Sequence, residues 1–215
     1  MRFSDLGLQT QLLAILDELG YQAPTPIQQA AIPEVLAGRD VLAGAQTGTG
    51  KTAAFALPLI QRYLADEGTS KAIRVLVLTP TRELAQQVHQ SFVAYSQGTG
   101  MRSVVAYGGA SINPQIEALE HGCEVLVATP GRLLELVIKQ LIDLSTLQTL
   151  VLDEADRILD MGFIIDIKRI LRHLPEAHQT LFFSATFNDD VFALKNTLLI
   201  DPALIEVTER NTAAA

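Results

Sequence analysis

A single cysteine, Cys123, in a chain of 215 residues excludes an intrachain disulfide framework and fits a reducing compartment. Its neighbours, Gly122 before it and Glu124-Val125-Leu126-Val127 after it, are the setting of a buried structural thiol. Zinc spacing is missing as well, since His89, His121, His173 and His178 match no ligand pattern. No apolar run is long enough to cross a bilayer. The start, Met1-Arg2-Phe3-Ser4-Asp5 leading to Asp17 and Glu18, lacks the form of a signal peptide. A cytoplasmic location without a membrane partner is therefore expected. Positive charge is also scarce: 16 Lys and Arg against 24 Asp and Glu leave a net charge of −8. A nucleic-acid binder is expected to show a basic footprint, so any such ligand must be held at a local site or with help from another segment.

With 48% hydrophobic and 19% charged residues, the chain has the balance of one α/β domain with a full core, and it is too short for two. Short apolar runs alternate with amphipathic segments of helix length. The runs are 40–44, 74–78, 103–107, 124–128, 149–152 and 180–183, with a weaker one at 203–207. Strands apolar on successive residues are covered on both faces, which predicts a mainly parallel sheet with helices on both sides. Helices are expected from Gln11 to Leu19, stopped by Gly20, and from Phe163 to Leu174, stopped before Pro175. Residues 1–208 read as one domain, and 209–215 as a tail or a shortened linker. Ligands in such sheets bind beyond the carboxyl ends of the strands. Six runs here each end in a polar or glycine-rich cluster, more chemistry than turns require.

Gln46-Thr47-Gly48-Thr49-Gly50-Lys51-Thr52 follows a strand and opens a helix, the context of a phosphate-binding P-loop. Glycines let backbone N–H groups turn onto phosphate oxygens, and the helix N-terminus adds partial positive charge. Lys51 would reach the β- and γ-phosphates of ATP, and the Thr52 hydroxyl would ligate Mg²⁺. Ala45 stands where the general pattern has its first glycine, with Gly44 just before it. The run Leu150-Val151-Leu152 ends in Asp153 and Glu154: Asp153 would hold Mg²⁺ through water, and Glu154 would orient and deprotonate the attacking water. Together the two motifs describe a P-loop NTPase.

Further motifs narrow the class. Asp153-Glu154-Ala155-Asp156 stands among Pro80-Thr81-Arg82-Glu83-Leu84, Thr129-Pro130-Gly131-Arg132, Ser184-Ala185-Thr186 and the upstream Gly20-Tyr21 and Thr25-Pro26-Ile27-Gln28. In this order they resemble the first, N-terminal RecA-like domain of DEAD-box ATP-dependent RNA helicases, from Phe3 to at least Val207. Phe187-Asn188-Asp189-Asp190 and the Arg210-Asn211-Thr212-Ala213 tail look like the bacterial branch. The resemblance makes 1–28 an adenine-recognition segment, with Gln28 reading the adenine edge, Tyr21 packing on the ring and Phe3 behind it. A Gln amide offers the donor and acceptor that adenine needs. The same residues also spell a capping box, with Thr25 as N-cap, Pro26 first in the helix and Gln28 third, and the two uses are compatible.

Thr79-Pro80-Thr81-Arg82 and Thr129-Pro130-Gly131-Arg132 each read as a cap, a proline at the first helical position and an arginine beside free helix N–H groups. The resemblance makes Thr81, Arg82, Thr129, Gly131 and Arg132 grips for an RNA backbone, with Gly108 and Gly109 allowing close approach. Such binding is sequence-independent and salt-sensitive. Ser184 and Thr186 would couple the sites through Asp156, although a role as caps of a helix near Asn188-Asp189 fits them equally well. The family's second RecA-like domain supplies arginines worth roughly 10³–10⁵ in rate, and no His-Arg-x-Gly-Arg-x-x-Arg run occurs here. Arg169 and Arg172 read as a solvated helix face. The chain alone is thus expected to bind nucleotide and to hydrolyse it slowly. Two rivals remain: a P-loop ATPase acting on DNA, and a nucleotide-binding interaction module.

Overall fold

The computed structural model describes residues 1–66 and 71–206. The tail expected at 209–215, and the Val207 end of the last run, lie outside the described residues. Seven strands form one sheet: β1 (Val41–Gly44), β2 (Val75–Leu78), β3 (Ser103–Ala106), β4 (Val125–Ala128), β5 (Thr149–Leu152), β6 (Gln179–Ser184) and β7 (Ala203–Glu206). Their order is β3-β4-β2-β5-β6-β1-β7, and every pairing is parallel.

The double-sided coverage expected from the apolar runs is present, and single strands show how it is built. Val75 and Val77 enter a core shared with α2 (Pro26–Leu36), α3 (Lys51–Ala65) and α4 (Arg82–Tyr95). Leu76 and Leu78 enter a second core on the opposite face, shared with α6 (Pro130–Ile138), α7 (Ala155–Asp160) and α8 (Ile164–Leu171). The remaining helices are α1 (Thr10–Glu18), α5 (Asn113–Glu120) and α9 (Asp189–Leu198). β7 lies at a sheet edge and alternates instead, with Ala203 and Ile205 buried and Leu204 and Glu206 outward, which is why its run looked weaker. α8 stops at Leu171, three residues before the expected end, because His173 and Leu174 donate to Ile170 and Leu171 in tight i→i−3 turns.

Strand order decides what meets what at the carboxyl edge. β1, β6 and β5 are neighbours, so the Lys51 loop, Ser184 and Asp153 stand side by side. β3, β4 and β2 form the other half and carry Gly108, Thr129 and Thr81.

Candidate functional site

The glycine loop leaves β1 at Gly44, which pairs with Ser184, and Ala45 N still donates to Ser184 O. Ala45 is buried, whereas Gln46, Thr47 and Gly48 are exposed and Thr49, Gly50 and Thr52 half-buried. Thr49 Oγ1 donates to Gln46 O at 2.8 Å and closes the loop. Gly50 has φ +85°, and a Cβ there would lie 2.6 Å from Gln28 Nε2 and 2.9 Å from Thr25 Oγ1. Glycine is required at this position by both its backbone angle and its close approach to the 25–28 segment.

Lys51 leads α3 into the molecule. Its ammonium lies 2.9 Å from Asp153 Oδ1 and 3.2 Å from Glu154 Oε1, all three side chains being buried. Only the contact to Glu154 has hydrogen-bond geometry, so Asp153 Oδ1 is a buried carboxylate oxygen in ionic contact without a hydrogen bond. Burial pushes the Asp153 carboxyl above its ordinary range, against the pull of Lys51. Glu154 occupies the left-handed region at φ 52°, an uncommon conformation that heads α7. Its other oxygen takes a salt bridge from Arg157 at 2.9 Å. Arg157 escaped the sequence reading; its position three residues after Glu154 at a helix start was the available signal.

A cleft of about 330 Å³ opens over these groups, lined by Tyr21, Gln28, Gly48, Lys51, Thr52 and Asp153 among others. At one end Gln28 Oε1 accepts from Thr25 N at 2.9 Å, and Nε2 donates to Gly50 O at 3.1 Å. Thr25 Oγ1 faces the third helical N–H without hydrogen-bond geometry, so the box closes on the Gln28 side. Gln28 keeps one N–H and one lone pair for a ligand. The Tyr21 ring meets Phe3 and Tyr95 edge-on, at centroid distances of 6.4 and 5.8 Å. Gln87, Val88, Ser91 and Tyr95 of α4 also line the cleft, which the motifs did not reveal.

Beside the Lys51 loop, between the ends of β5 and β6, Thr186 Oγ1 donates to Asp156 Oδ2 at 2.9 Å, and Ser184 Oγ accepts from Asp156 N at 3.2 Å. The alternative role as helix caps belongs to Asn188, whose Oδ1 accepts from Val191 N. Ser184 and Thr186 are thus tied to the Asp153–Asp156 segment.

The second half of the edge departs from expectation at two points. Pro80 is not the first residue of α4: Thr81 is the N-cap and accepts from Leu84 N. Thr79 stays in line with β2 instead, its N–H donating to Ala128 O. α6 does start at Pro130 after Thr129, and its Arg132 is engaged by protein groups. That guanidinium is 9% exposed and donates to Gln115 Oε1 at 2.8 Å and to Ala110 O at 2.9 Å. Its Nε also lies 3.1 Å from Glu135, outside hydrogen-bond geometry. With these three partners Arg132 braces the Ala110 and Gln115 segments. Gln115 in turn accepts from Tyr107 N and donates to Tyr107 O. Arg82 is exposed and stacks over the Tyr107 ring at 4.9 Å. Gly108 N points at Thr129 Oγ1, 3.4 Å away, while Gly108, Gly109 and Gly131 are exposed. Tyr107 and Gln115 carry no local signature that reading the sequence could find.

Away from the edge, Cys123 is 1% exposed, and burial pushes its thiol up to about 12, helped by the Glu124 charge. Lys168, Arg169 and Arg172 are exposed on α8 and its cap. No helix among the described residues is long and apolar enough to cross a membrane.

A parallel α/β sheet whose Gly-Lys-Thr loop faces a second strand ending in paired carboxylates is a P-loop nucleotide-binding domain. The model of the DEAD/DEAH box helicase family matches residues 25–194, and the chain belongs to that family. It is similar to the RNA helicase CrhR of Synechocystis sp., with 49% identity over 207 residues, 96% of this chain and 41% of the relative. The ATP-dependent RNA helicase DeaD of Escherichia coli K12 is 46% identical over 206 residues, 95% of this chain and 32% of the relative. Its fold matches the crystal structure of a DEAD box protein from the hyperthermophile Methanococcus jannaschii with a TM-score of 0.89 at 35% identity. That match covers 97% of this chain and 56% of the other, so the fold is RecA-like. The chain spans 41% and 32% of the length of the two curated relatives.

Proposed function

We propose that this chain is the ATP-binding half of an RNA helicase, which holds Mg-ATP and an RNA backbone and unwinds duplexes together with a second RecA-like domain. The observation that carries this is the Lys51–Asp153–Glu154 cluster, a P-loop lysine in contact with two buried strand-end carboxylates. Lys51 would leave them for the β- and γ-phosphates when nucleotide enters. Glu154, still held through its other oxygen by Arg157, then has Oε1 free to orient water and take its proton. The residues present fit a magnesium ion: Asp153 Oδ1 is an acceptor without a hydrogen bond, and Thr52 lies in the same cleft. Asp153, through water, and the Thr52 hydroxyl would hold the ion, which neutralises charge on the phosphate oxygens when bound. Gln46, Thr47, Gly48, Thr49 and Gly50 would cradle the phosphates, and Gln28 and Tyr21 the adenine.

On the other half of the edge, Thr81, Arg82, Gly108, Gly109, Thr129 and Gly131 would meet the RNA sugar-phosphate, with Arg132 keeping them in place. Asp156, Ser184 and Thr186 would link the two halves. The names of the relatives support RNA over DNA, and the buried, unreactive cysteine supports a cytoplasmic setting. Slow hydrolysis by the isolated chain follows, because the arginines expected from the second domain are lacking. Glu154→Gln tests the reading: ATP affinity should persist while turnover, measured with the second domain supplied, falls at least a hundredfold. Turnover indifferent to the substitution would leave a nucleotide-binding interaction module as the better account.

A further inference from the structure

The adenine end of the cleft holds a contact that neither the motifs nor the proposed mechanism uses. Tyr95, the last residue of α4, is 5% exposed, and its hydroxyl lies 2.8 Å from the hydroxyl of Tyr21. Either oxygen can donate. Their rings meet edge-on at 80°, while Phe3 meets Tyr21 at 73° from another direction. Tyr21 is itself 37% exposed and lines the cleft beside Gln28. Two edge-on rings set which way its faces point, and a hydrogen bond at its far end fixes where the tip of the ring lies. The partner is rigid: Tyr95 sits in a helix whose Val88 and Phe92 are packed in the core, and burial pushes its phenol above the usual range, so it stays protonated.

We propose that Tyr95 is a positioning residue for base recognition, fixing the Tyr21 ring so that its open side lies parallel to a purine beside Gln28. This rests on the adenine reading of Tyr21 and Gln28 given above. A stacking side chain contributes most when it is held in the bound orientation beforehand. Because α4 starts at Arg82 on the RNA edge and ends at Tyr95, one helix about 20 Å long joins the two ligands' walls.

Equilibrium binding to the 215-residue chain tests this with two probes: ATP, and tripolyphosphate, which has no base. In Tyr95→Phe only the hydroxyl is lost. The Kd for ATP should rise about three- to tenfold, the worth of one hydrogen bond, and that for tripolyphosphate should not change. Tyr21→Phe breaks the same bond from the other side and should match it, with no further loss in the double variant. A Tyr95→Phe variant that binds ATP normally, or that weakens both probes alike, overturns the inference. Tyr21→Ala separates the two levels. If it leaves ATP binding intact, the adenine reading itself fails; if it weakens ATP while Tyr95→Phe does not, only the role of Tyr95 fails.

Discussion

Replacing Arg132 by alanine separates two roles that give the same residue very different consequences. As a brace, its guanidinium makes two hydrogen bonds from a charged donor, to Gln115 Oε1 and Ala110 O, at 9% side-chain exposure. Bonds of that kind are worth about 1.5–3 kcal/mol each when broken in a buried setting. The partners soften the loss. Gln115 Oε1 keeps the N–H of Tyr107, Ala110 is half-buried and can turn its carbonyl to water, and Glu135 keeps Lys139 at 2.7 Å. The expected cost is therefore at the low end, about 2–3 kcal/mol of folding stability, read from urea midpoints. RNA binding should weaken because the Gly108-Gly109 turn loses its anchor, but the dependence of log Kd on log salt should keep its slope. If Arg132 instead touches a phosphate, the slope drops by about one and stability barely moves. Fluorescence anisotropy of a labelled single strand across a potassium chloride series distinguishes these outcomes. A stability loss below about 0.5 kcal/mol together with a slope reduced by one would refute the brace.

Two more predictions follow from the buried charges and the thiol. Lys51→Ala should abolish tight ATP binding and also destabilise the ligand-free chain by about 3 kcal/mol, since it leaves the buried Asp153 without a cation; an unchanged urea midpoint would contradict the geometry. Cys123, with its thiol raised to about 12, is protonated at pH 8 and should react with a disulfide reagent only as fast as the chain opens. Fast labelling of the folded chain would show that it is not buried as described.

Where burial alone decides structure, reading the residues succeeds. Each inner strand is apolar on both faces because helices cover both, and that signal is local to the run. Edge strand β7 has one covered face and a correspondingly thinner signal. The Lys51 loop was legible because a P-loop needs its glycines, lysine and threonine consecutive in the chain. The half proposed to meet RNA was legible only in outline. Whether Thr79 or Thr81 caps α4 depends on where the chain turns after β2, and Thr79-Pro80-Thr81-Arg82 does not encode that. Arg132 looks the same on paper whether it faces solvent or Gln115, seventeen residues away on another helix. Tyr95 and Tyr21 meet across 74 residues. Contacts of this kind arise from packing between elements, so no short window contains them.

The acidity of the chain becomes intelligible once the charges are located. In the cleft Lys51 and Arg157 balance Asp153 and Glu154, one cation for each carboxylate. A polyphosphate entering such a balanced site brings negative charge that nothing already there can offset, because moving Lys51 onto the phosphates uncovers Asp153 by the same amount. A divalent cation beside Asp153 restores the balance from within, and arginines from an opposing surface restore it from outside. The RNA half follows the same pattern. Of its two motif arginines, Arg132 is committed to Gln115 and Ala110, which leaves Arg82 on the Tyr107 ring as the exposed one. In the proposed RNA site, backbone N–H groups at the strand ends would then carry much of the phosphate binding, without altering a net charge of −8. Under the proposed function both ligands would be held weakly by this half and tightly once a second surface closes over them.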